Sequence, residues 1–263
     1  MTAIDHSISN SEVIPIVRSD IFRGHETAQF AVGILAIDHE LMPGRTTAEL
    51  DAYYRLRGNV YGRQARIVDP DLINCVDGTE RDADDARSVH IGGFENLDVG
   101  TARVVHAIRL ILRGWPHSGP LPIEGFFPDV FDRDPAPPLS AEVSRFISRH
   151  EDEDIQESLK WPGFNVALAY AMTHGLERGY AVLEEPVLFD LQRSGVPLQD
   201  IARPRYIERY RSRNYPVAID PHVVAESLGL TQSDLASMRV SEGTMGYYSV
   251  VARGAGKVAL VAA

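Results

Sequence analysis

Charged residues stand inside otherwise apolar stretches at four places in this chain, and they constrain its fold more than any other feature. Burying an isolated carboxylate or guanidinium costs several kcal/mol, a large part of the stability of a whole domain. Such charges must therefore pair with one another in the folded protein, which predicts one shared site. The four stretches are Arg57-x-x-x-Tyr61, Glu80-x-Asp82-x-x-Asp85, Arg103 in an apolar run, and Glu142-Val143-Ser144-Arg145-Phe146.

The composition bounds the class of protein. With 263 residues, of which 44% are hydrophobic, the chain can bury a substantial core as one large domain or two closely joined ones. A formal net charge of -11 argues against a general nucleic-acid binder, because neutralising phosphates requires an excess of lysine and arginine. The single cysteine, Cys75, cannot form an internal disulfide, and neither a secretory leader nor a long apolar run is evident. We therefore expect a cytoplasmic protein without a membrane span.

A helix is predicted from about residue 46 to 61. Thr46-Thr47-Ala48-Glu49 is typical of a capping box, and apolar residues follow it at helical spacing. On this helix Arg57 lies one turn before Tyr61 on the apolar face. A lone arginine in such a stripe can also extend its charged end into solvent, and this alternative stays open.

A β-hairpin is predicted from residues 88–94 and 101–112. The first segment is β-like, the second is a long run rich in β-branched residues, and a turn sequence separates them. Regular alternation would place Arg103 and Arg109 on one face of the second strand. One face of the hairpin is therefore expected to carry charge.

A further short strand is predicted from 141 to 147. Side chains alternate along a strand, so Glu142, Ser144 and Phe146 are expected to share one face. Glu142 and Ser144 would then point into the same site.

The remaining segments predict an α/β fold. Helices are predicted at 164–176, 186–193, 221–228 and 233–238, and strands at 180–183, 201–219 and 247–252. Helices that interleave with a central run of strands indicate an α/β/α sandwich around a mixed, mostly antiparallel sheet. We predict an N-terminal extension over 1–40, a main domain over 41–220, and C-terminal helices and a strand over 221–263 packed on that domain.

Three weaker patterns have simpler interpretations. The acidic residues 80–85 with His90 offer oxygen and nitrogen ligands but lack the ligand order of a calcium loop, so no metal site is predicted. No motif places a base beside Cys75, which is expected to be a packed residue. Residues 253–257 contain only part of a phosphate loop and are predicted to form a turn.

In residue type, order and approximate spacing, the four charged stretches resemble those of the acyl-homoserine-lactone synthases. These are autoinducer synthases within the GNAT acyltransferase superfamily, and the chain is also similar to the related N-acyl amino acid synthases. The resemblance covers about residues 46–220 and implies a GNAT-like fold. The matching positions are Arg57 and Tyr61 on the helix, then Glu80, Asp82 and Asp85, then Arg103, then Glu142, Ser144, Arg145 and Phe146.

The resemblance implies amide formation from a fatty acyl thioester and a primary amine of an amino acid or an amino-acid-derived compound. An amine with a pKa of roughly 8 is mostly protonated near pH 7, so a base is needed. We expect Glu142 to be that base. The expected catalytic residues are Glu142, Ser144 and Arg145, and the expected substrate-binding residues are Arg57, Tyr61, Asp82, Asp85, Arg103 and Phe146. Alternatively, these charges only form a buried network that fixes the N-terminal lobe.

The acyl donor is expected to be an acyl-carrier protein rather than coenzyme A, because the pyrophosphate loop of the superfamily is not found. Five arginines share parity on the predicted strand 201–219 and would form one basic face, suited to an acidic carrier or equally to solvent. They are Arg203, Arg205, Arg209, Arg211 and Arg213. No tightly bound cofactor is expected.

S-adenosylmethionine is a possible amine substrate, but the tryptophan of the lactone synthases has no counterpart near Ile67. The chain is also longer than a typical lactone synthase, with insertions between the Asp motif and Glu142, and this favours the amino acid synthase branch or an uncharacterised relative. Two other functions stay open: a non-catalytic protein that binds acyl carriers or lipids, and an acetyl- or acyl-coenzyme A-dependent acetyltransferase of the same superfamily. The acyl length, the amine and the formation of a lactone do not follow from the sequence.

Overall fold

The computed structural model describes residues 15–18, 28–37, 47–64, 78–98, 101–113, 119–238, 240–253 and 257–262. The strands are β1 Ile16–Arg18, β2 Phe30–Ile37, β3 Ser88–Asp98, β4 Thr101–Leu112, β5 Ser140–Ser148, β6 Arg178–Glu184, β7 Gln199–Asp200, β8 Arg205–Ile207, β9 Ser212–Ile219, β10 Met245–Arg253 and β11 Lys257–Ala262. The helices are α1 Ala48–Arg57, α2 Pro122–Phe126, α3 Pro128–Phe131, α4 Glu153–Thr173, α5 Glu185–Arg193, α6 Pro221–Ser227 and α7 Gln232–Ser237. Cys75 and Ile67 lie outside the described residues.

The strands form one sheet in the order β11-β10-β2-β3-β4-β5-β6-β9-β7, with β1 paired to β4 and β8 paired to β9. Among the described strands, β5 and β6 form the one parallel pair. The predicted mixed, mostly antiparallel sheet is therefore confirmed. Strand β2 lies between β10 and β3, so residues 30–37 of the predicted extension belong to this sheet. The boundaries near 40 and 220 stay predictions.

Helices cover both faces of the sheet, as the predicted α/β/α sandwich requires. On one face Tyr53 and Leu56 of α1 pack against Val104 and Ala107 of β4. On the other face α4 packs against the alternate residues of β4, such as Ile108. Helices α2 and α3 share the α1 face, while α5, α6 and α7 share the α4 face. No helix among the described residues is long and apolar enough to cross a membrane.

Side-chain caps determine where the helices begin. The helix predicted from residue 46 begins at Ala48, because the Thr47 hydroxyl accepts the Leu50 N–H at 3.2 Å. The helix predicted from residue 164 begins much earlier, at Glu153. There Asp152 accepts the N–H groups of Asp154 and Ile155 at 2.9 and 3.1 Å, which makes the preceding charged run the exposed first turns of α4.

A β-bulge in β4 separates two arginines that were predicted to share a face. Gly93 of β3 is opposite His106, while the next residue, Phe94, is opposite Val104. The extra residue on β4 reverses the alternation of side chains between Arg103 and Arg109. Arg109 therefore lies on the α1 face and Arg103 on the α4 face, and the predicted shared face is wrong.

A second bulge lies in β5 at Arg145, whose φ of 54° is in the left-handed region. The register with β4 shifts here between Ser144 and Ile147. Glu142 and Ser144 share the α1 face as predicted, and the bulge brings Arg145 to the same face. Phe146 instead contacts the α4 side, where its ring meets His106 edge to face, so its predicted position beside Glu142 is wrong.

The segment predicted as one strand from 201 to 219 is a hairpin. Strand β8 ends in a 3-10 turn over Glu208–Tyr210, and Arg211 has a left-handed φ of 51° before β9 begins. Arg205 is opposite Asn214, whereas Tyr206 is opposite Arg213. Arg205 and Arg213 therefore lie on opposite faces, and the predicted single basic face is wrong.

Candidate active site

Six charged side chains on the α1 face form a closed ring in which arginines and carboxylates alternate. Each carboxylate bridges two guanidinium groups, and the formal charges sum to zero. We call this cluster the ionic ring. Its members, in order around the ring, are Arg57, Glu80, Arg145, Asp82, Arg109 and Asp85.

Helix α1 contributes Arg57, which is fully buried. Its guanidinium donates to Glu80 at 2.6 Å and makes a bidentate pair with Asp85 at 2.6 and 3.1 Å. The rings of Tyr53 and Tyr54, one turn earlier, lie 5.6 and 5.1 Å from the guanidinium carbon. Charge pairing and cation–π contact together compensate for the loss of hydration.

Strand β4 contributes Arg109, which has an exposure of 2%. It donates to Asp82 at 2.6 Å and to Asp85 at 2.8 Å, and its Nε donates to the Ser144 hydroxyl at 3.0 Å. Ser144 is thus fixed to the ring through Arg109. Arg109 was predicted on a charged strand face but not as a site residue. Its position in an apolar run could have indicated a buried, paired charge.

Strand β5 contributes Arg145 through the bulge. Its Nη2 donates to Glu80 at 2.7 Å and approaches Asp82 at 3.4 Å. Its guanidinium lies 5.1 Å from the centre of the Tyr61 ring, in the π-helical segment Gly58–Gln64 that continues α1. The remaining nitrogen, Nη1, has no hydrogen-bond partner among the described residues.

The ring keeps its carboxylates charged. Burial alone would raise the pKa of Glu80, but the guanidinium groups of Arg57 and Arg145 outweigh burial and lower the pKa to about 2. The pKa of Asp85 is likewise lowered, because Arg57 and Arg109 overcome its burial. The acidic motif therefore binds arginines, and among the described residues no group of acidic, histidine or cysteine side chains is placed to hold a metal.

Arg103 was expected to belong to this cluster, and that expectation is wrong. Its guanidinium pairs with Glu95 of β3 and with Glu151, which it contacts at 2.7 Å just before α4. The bulge in β4 is the reason, because it turns Arg103 to the opposite face of the sheet from Arg109. Arg109 occupies the place in the ring that was predicted for Arg103.

A cavity of about 370 Å³ lies beside the ring, where β5 and β6 separate. The parallel pairing of these strands ends at Val143 and Ala181, yet both strands continue and diverge. The cavity fills this splay and is lined by residues of both strands. Because the strands diverge from Val143 and Ala181 onward, the space between them is narrow at these last paired residues and widens toward Ser148 and Glu184.

Glu142 lies at the narrow end of the cavity with an exposure of 2%. One oxygen, Oε2, accepts the backbone N–H of Ile123 in α2 at 2.7 Å. Burial raises the pKa of Glu142 to about 7, although that N–H and the charge of Arg109 act in the opposite direction. Near neutral pH this carboxyl can both accept and release a proton.

Apart from Arg103, the predicted catalytic and substrate-binding residues divide into two groups. Five of them line the cavity: Tyr61, Glu142, Ser144, Arg145 and Phe146. The other predicted residues of the ring lie behind this wall with their charges paired, and these are Arg57, Asp82 and Asp85. The ring therefore supports the cavity wall through Ser144 and Arg145.

The other walls come from segments that the sequence analysis did not connect with the site. Tyr210, beside β8, lines the cavity and packs edge to face on Phe126 of α2. The pKa of Tyr210 is raised by burial and by the charge of Glu142. The remaining wall is largely apolar and includes Phe164, Val187, Leu191, Leu198 and Ile219.

The five arginines of the 201–219 segment are in different environments. Arg205 pairs with Asp129 at 2.7 Å and lies over the Phe127 ring, and Arg209 approaches Asp82 of the ionic ring at 3.6 Å. The other three are exposed: Arg203, Arg211 and Arg213. Arg211 follows Tyr210 and Arg213 precedes Asn214, and of these four residues only Tyr210 and Asn214 line the cavity.

Comparison with known proteins identifies the family of this chain. The family model described as autoinducer synthase matches residues 42–219. No curated protein matches the chain. Several solved structures are similar in fold at low sequence identity, among them those of lactone synthases.

One similar structure is that of a CoA-dependent acyl-homoserine lactone synthase, BjaI, with MTA. It is 18% identical in sequence, covers 82% of this chain and 93% of its own, and has a TM-score of 0.55. The AHL synthase LasI is 16% identical over 76% of this chain and 95% of its own, with a TM-score of 0.57. The structure of TofI in a ternary complex with an inhibitor and MTA is 20% identical in sequence. It covers 78% of this chain and 98% of its own, with a TM-score of 0.55.

Proposed function

The chain belongs to the autoinducer synthase family and is an N-acyltransferase, and we propose that it transfers a fatty acyl group from a carrier-protein thioester to the amine of an amino acid or an amino-acid derivative. The observation that carries this proposal is the buried carboxyl of Glu142 at the narrow end of a cavity that is otherwise largely apolar. A proton acceptor and an acyl-sized apolar wall are the two features that this reaction requires.

Glu142 acts as the general base. The attacking amine must lose a proton, and a carboxyl with a pKa of about 7 is well matched to an ammonium with a pKa of roughly 8. Its Oε2 is engaged by Ile123, which leaves Oε1 for the amine or for a bridging water. The amine nitrogen then attacks the thioester carbon, the carbonyl oxygen takes up negative charge, and the thiolate leaves.

The developing oxyanion is held by a backbone N–H of the bulge at Arg145. Strand β5 is no longer paired with β6 beyond Val143, so main-chain donors along this stretch can serve the cavity. A bulge re-aims backbone groups in this way at many sites. Ser144, fixed by Arg109, helps to orient the reacting groups.

Arg145 binds the carboxylate or another electron-rich group of the amine substrate through Nη1, which has no partner in the part of the chain that the structure describes, with Tyr61 beside it. Arg57, Asp82 and Asp85 hold Arg145 and Ser144 in place through the ionic ring. The ring is neutral and closed, which favours a positioning role for these three residues over direct contact with substrate.

The acyl chain lies along the apolar wall that includes Phe146 and Phe164. A second apolar pocket of about 50 Å³ shares Val143, Phe164 and Ile219 with the main cavity. A longer chain would extend from one pocket into the other past these three side chains.

The start of α4 supports a carrier protein as donor. A helix N-terminus can bind a pyrophosphate through free N–H groups, but here Asp152 already accepts those of Asp154 and Ile155. Glu151, Glu153 and Asp154 are exposed around it and would repel a phosphate. The exposed Arg203, Arg211 and Arg213 belong to the segment that contributes Tyr210 and Asn214 to the cavity wall, and their charge suits the acidic surface of a carrier protein.

The test is acyl transfer by the purified chain with the same acyl group on carrier protein and on coenzyme A. A panel of amino acids together with S-adenosylmethionine serves as acceptors, and the product mass identifies both halves. We expect an N-acyl product with preferential use of the carrier protein. Reversal of Arg211 and Arg213 to Glu should raise the KM for the carrier substrate and weaken its salt dependence, while the KM for the amine stays unchanged.

Reversal of Arg193, an exposed arginine of α5, is the matched control and should have little effect. Equal or better use of coenzyme A, with no effect of the Arg211 and Arg213 reversals, would contradict the carrier proposal. Absence of an N-acyl product with every donor and amine would contradict the proposed acyl and amine substrates.

A further inference from the structure

The amide side chain of Asn214 is buried in the cavity wall and has no part in the mechanism above. Asn214 lies in β9, opposite Glu184 of β6 and Arg205 of β8. Its exposure is 2%, and it lines the cavity. A buried amide needs partners for both its nitrogen and its oxygen.

The nitrogen of this amide is fully engaged, and the oxygen is not. Nδ2 donates to the backbone carbonyl of Ser212 at 2.8 Å and to the Ser212 hydroxyl at 2.9 Å. Because a carbonyl can only accept, the nitrogen must lie on the Ser212 side, which turns Oδ1 away from it. Oδ1 has no hydrogen-bond partner among the described residues, so it is left as an acceptor for a molecule in the cavity.

Asn214 lies toward the end of the cavity where β5 and β6 are widest apart. The β5–β6 pairing ends at Ala181, and Glu184, opposite Asn214, lies three residues further toward this wide end. At about 3.3 Å per residue, Asn214 is about 10 Å from the narrow end. Glu142 lies at the narrow end, so a thioester carbonyl placed there has its sulfur arm directed past Asn214.

We propose that Asn214 Oδ1 accepts a hydrogen bond from an amide N–H of the pantetheine arm of the acyl donor. The contact makes Asn214 a specificity-determining residue that selects pantetheine thioesters over thioesters without an amide. This inference rests on the proposed function and specifies how the donor is recognised. Coenzyme A and carrier proteins share the pantetheine arm, so the contact applies to either.

The test compares S-octanoyl pantetheine with two analogues, in each of which one amide N–H is replaced by an ester oxygen. Wild type is expected to prefer the full pantetheine thioester by about 10-fold in kcat/KM over one of the two analogues. Asn214→Leu should abolish this preference and leave the KM of the amine unchanged. With octanoyl-coenzyme A and the octanoyl carrier protein, Asn214→Leu should lower kcat/KM about 10-fold for each source that the enzyme uses.

A matched variant separates recognition from folding. Ser212→Ala removes one partner of Nδ2 but leaves the backbone carbonyl of residue 212 in place and Oδ1 facing the cavity, so it should keep the preference for the amide. Thermal unfolding of each variant shows whether it is folded. Indifference of wild type to both analogues, or retention of the preference by Asn214→Leu, would overturn the inference.

Binding of unreactive thioethers distinguishes this inference from the proposed function. S-octyl pantetheine and its two ester analogues are titrated calorimetrically against wild type and Asn214→Leu. If wild type, but not Asn214→Leu, binds S-octyl pantetheine more tightly than an ester analogue, the contact is upheld even when no thioester is turned over. A lack of turnover would then contradict only the proposed function. Equal binding of all three thioethers by wild type would overturn the contact.

Discussion

At the scale of single residues, two buried glutamates of the site differ in the charge they hold. Glu80 lies between two guanidinium groups that lower its pKa to about 2, whereas burial raises the pKa of Glu142 to about 7. One carboxylate is therefore permanently charged near neutral pH, and the other exchanges its proton there. Environments that separate the pKa values of neighbouring carboxyls are typical of acid–base sites.

Glu142→Gln is expected to change how the stability of the fold depends on pH. The pKa of Glu142 is raised from 4.5 to about 7 in the folded state, so the native protein retains a proton that the unfolded chain releases. This contribution to stability is present below pH 4.5 and is lost as the pH rises through 7. Between pH 4.5 and 8, wild type should lose about 3 kcal/mol relative to Glu142→Gln, measured by urea unfolding.

The pH dependence of stability for Glu80→Gln is a control, because the pKa of Glu80 is shifted in the opposite direction to that of Glu142. The pKa of Glu80 is lowered in the folded state, so its contribution is present above pH 4.5 and is lost as the pH falls through about 2. Glu80→Gln should therefore be less stable than wild type at neutral pH. Parallel pH profiles for wild type and Glu142→Gln would show that the pKa of Glu142 is not raised.

At the scale of elements, β-bulges decide which side chains meet. The hairpin of β3 and β4 and the strand β5 were predicted from the sequence, most clearly β4 with its many β-branched residues, and the structure confirms all three strands. The register of the strands cannot be predicted in the same way. One extra residue reverses the face to which every later side chain points, and its position has no clear signal in a single sequence. This is why Arg109 rather than Arg103 is in the ionic ring, and why Phe146 faces away from Glu142.

The ionic ring should behave as one cooperative unit. Truncating Arg57 or Asp85 to Ala leaves a buried partner uncompensated, and each single change should cost about 3–5 kcal/mol. The double variant should cost clearly less than the sum, because it removes both members of the bidentate pair. The measurement is a double-mutant cycle by denaturant unfolding.

The exposed pair of Arg55 and Asp51 on the same helix is the matched control. Their side chains are 2.8 Å apart but 45% and 35% exposed, so this pair should contribute only about 0.5 kcal/mol or less. Strict additivity of the Arg57 and Asp85 truncations would mean that these residues do not act as a unit.

At the scale of the whole molecule, the site arises where the sheet opens. The α/β/α layers, the mixed sheet and the membership of Glu142, Ser144 and Arg145 in one cluster could be predicted from the chain. The remaining walls could not, because Tyr210, Asn214 and Leu191 reach the cavity only after β9 and α5 pack beside β6. Such contacts between distant segments depend on tertiary packing, which local sequence patterns do not encode.

The central claim is that Glu142, at the narrow end of this opening, takes the proton of the attacking amine. Its most direct test is the steady-state turnover of wild type and Glu142→Gln with one acyl thioester and one accepted amine, measured across pH. Wild-type turnover should rise as the pH increases through about 7, as Glu142 loses its proton. Glu142→Gln should show a cooperative thermal unfolding transition, which would demonstrate that it is folded, and its KM for the donor should be unchanged. Its turnover should fall by roughly 10²- to 10⁴-fold. Near-normal turnover by folded Glu142→Gln at neutral pH would contradict the account.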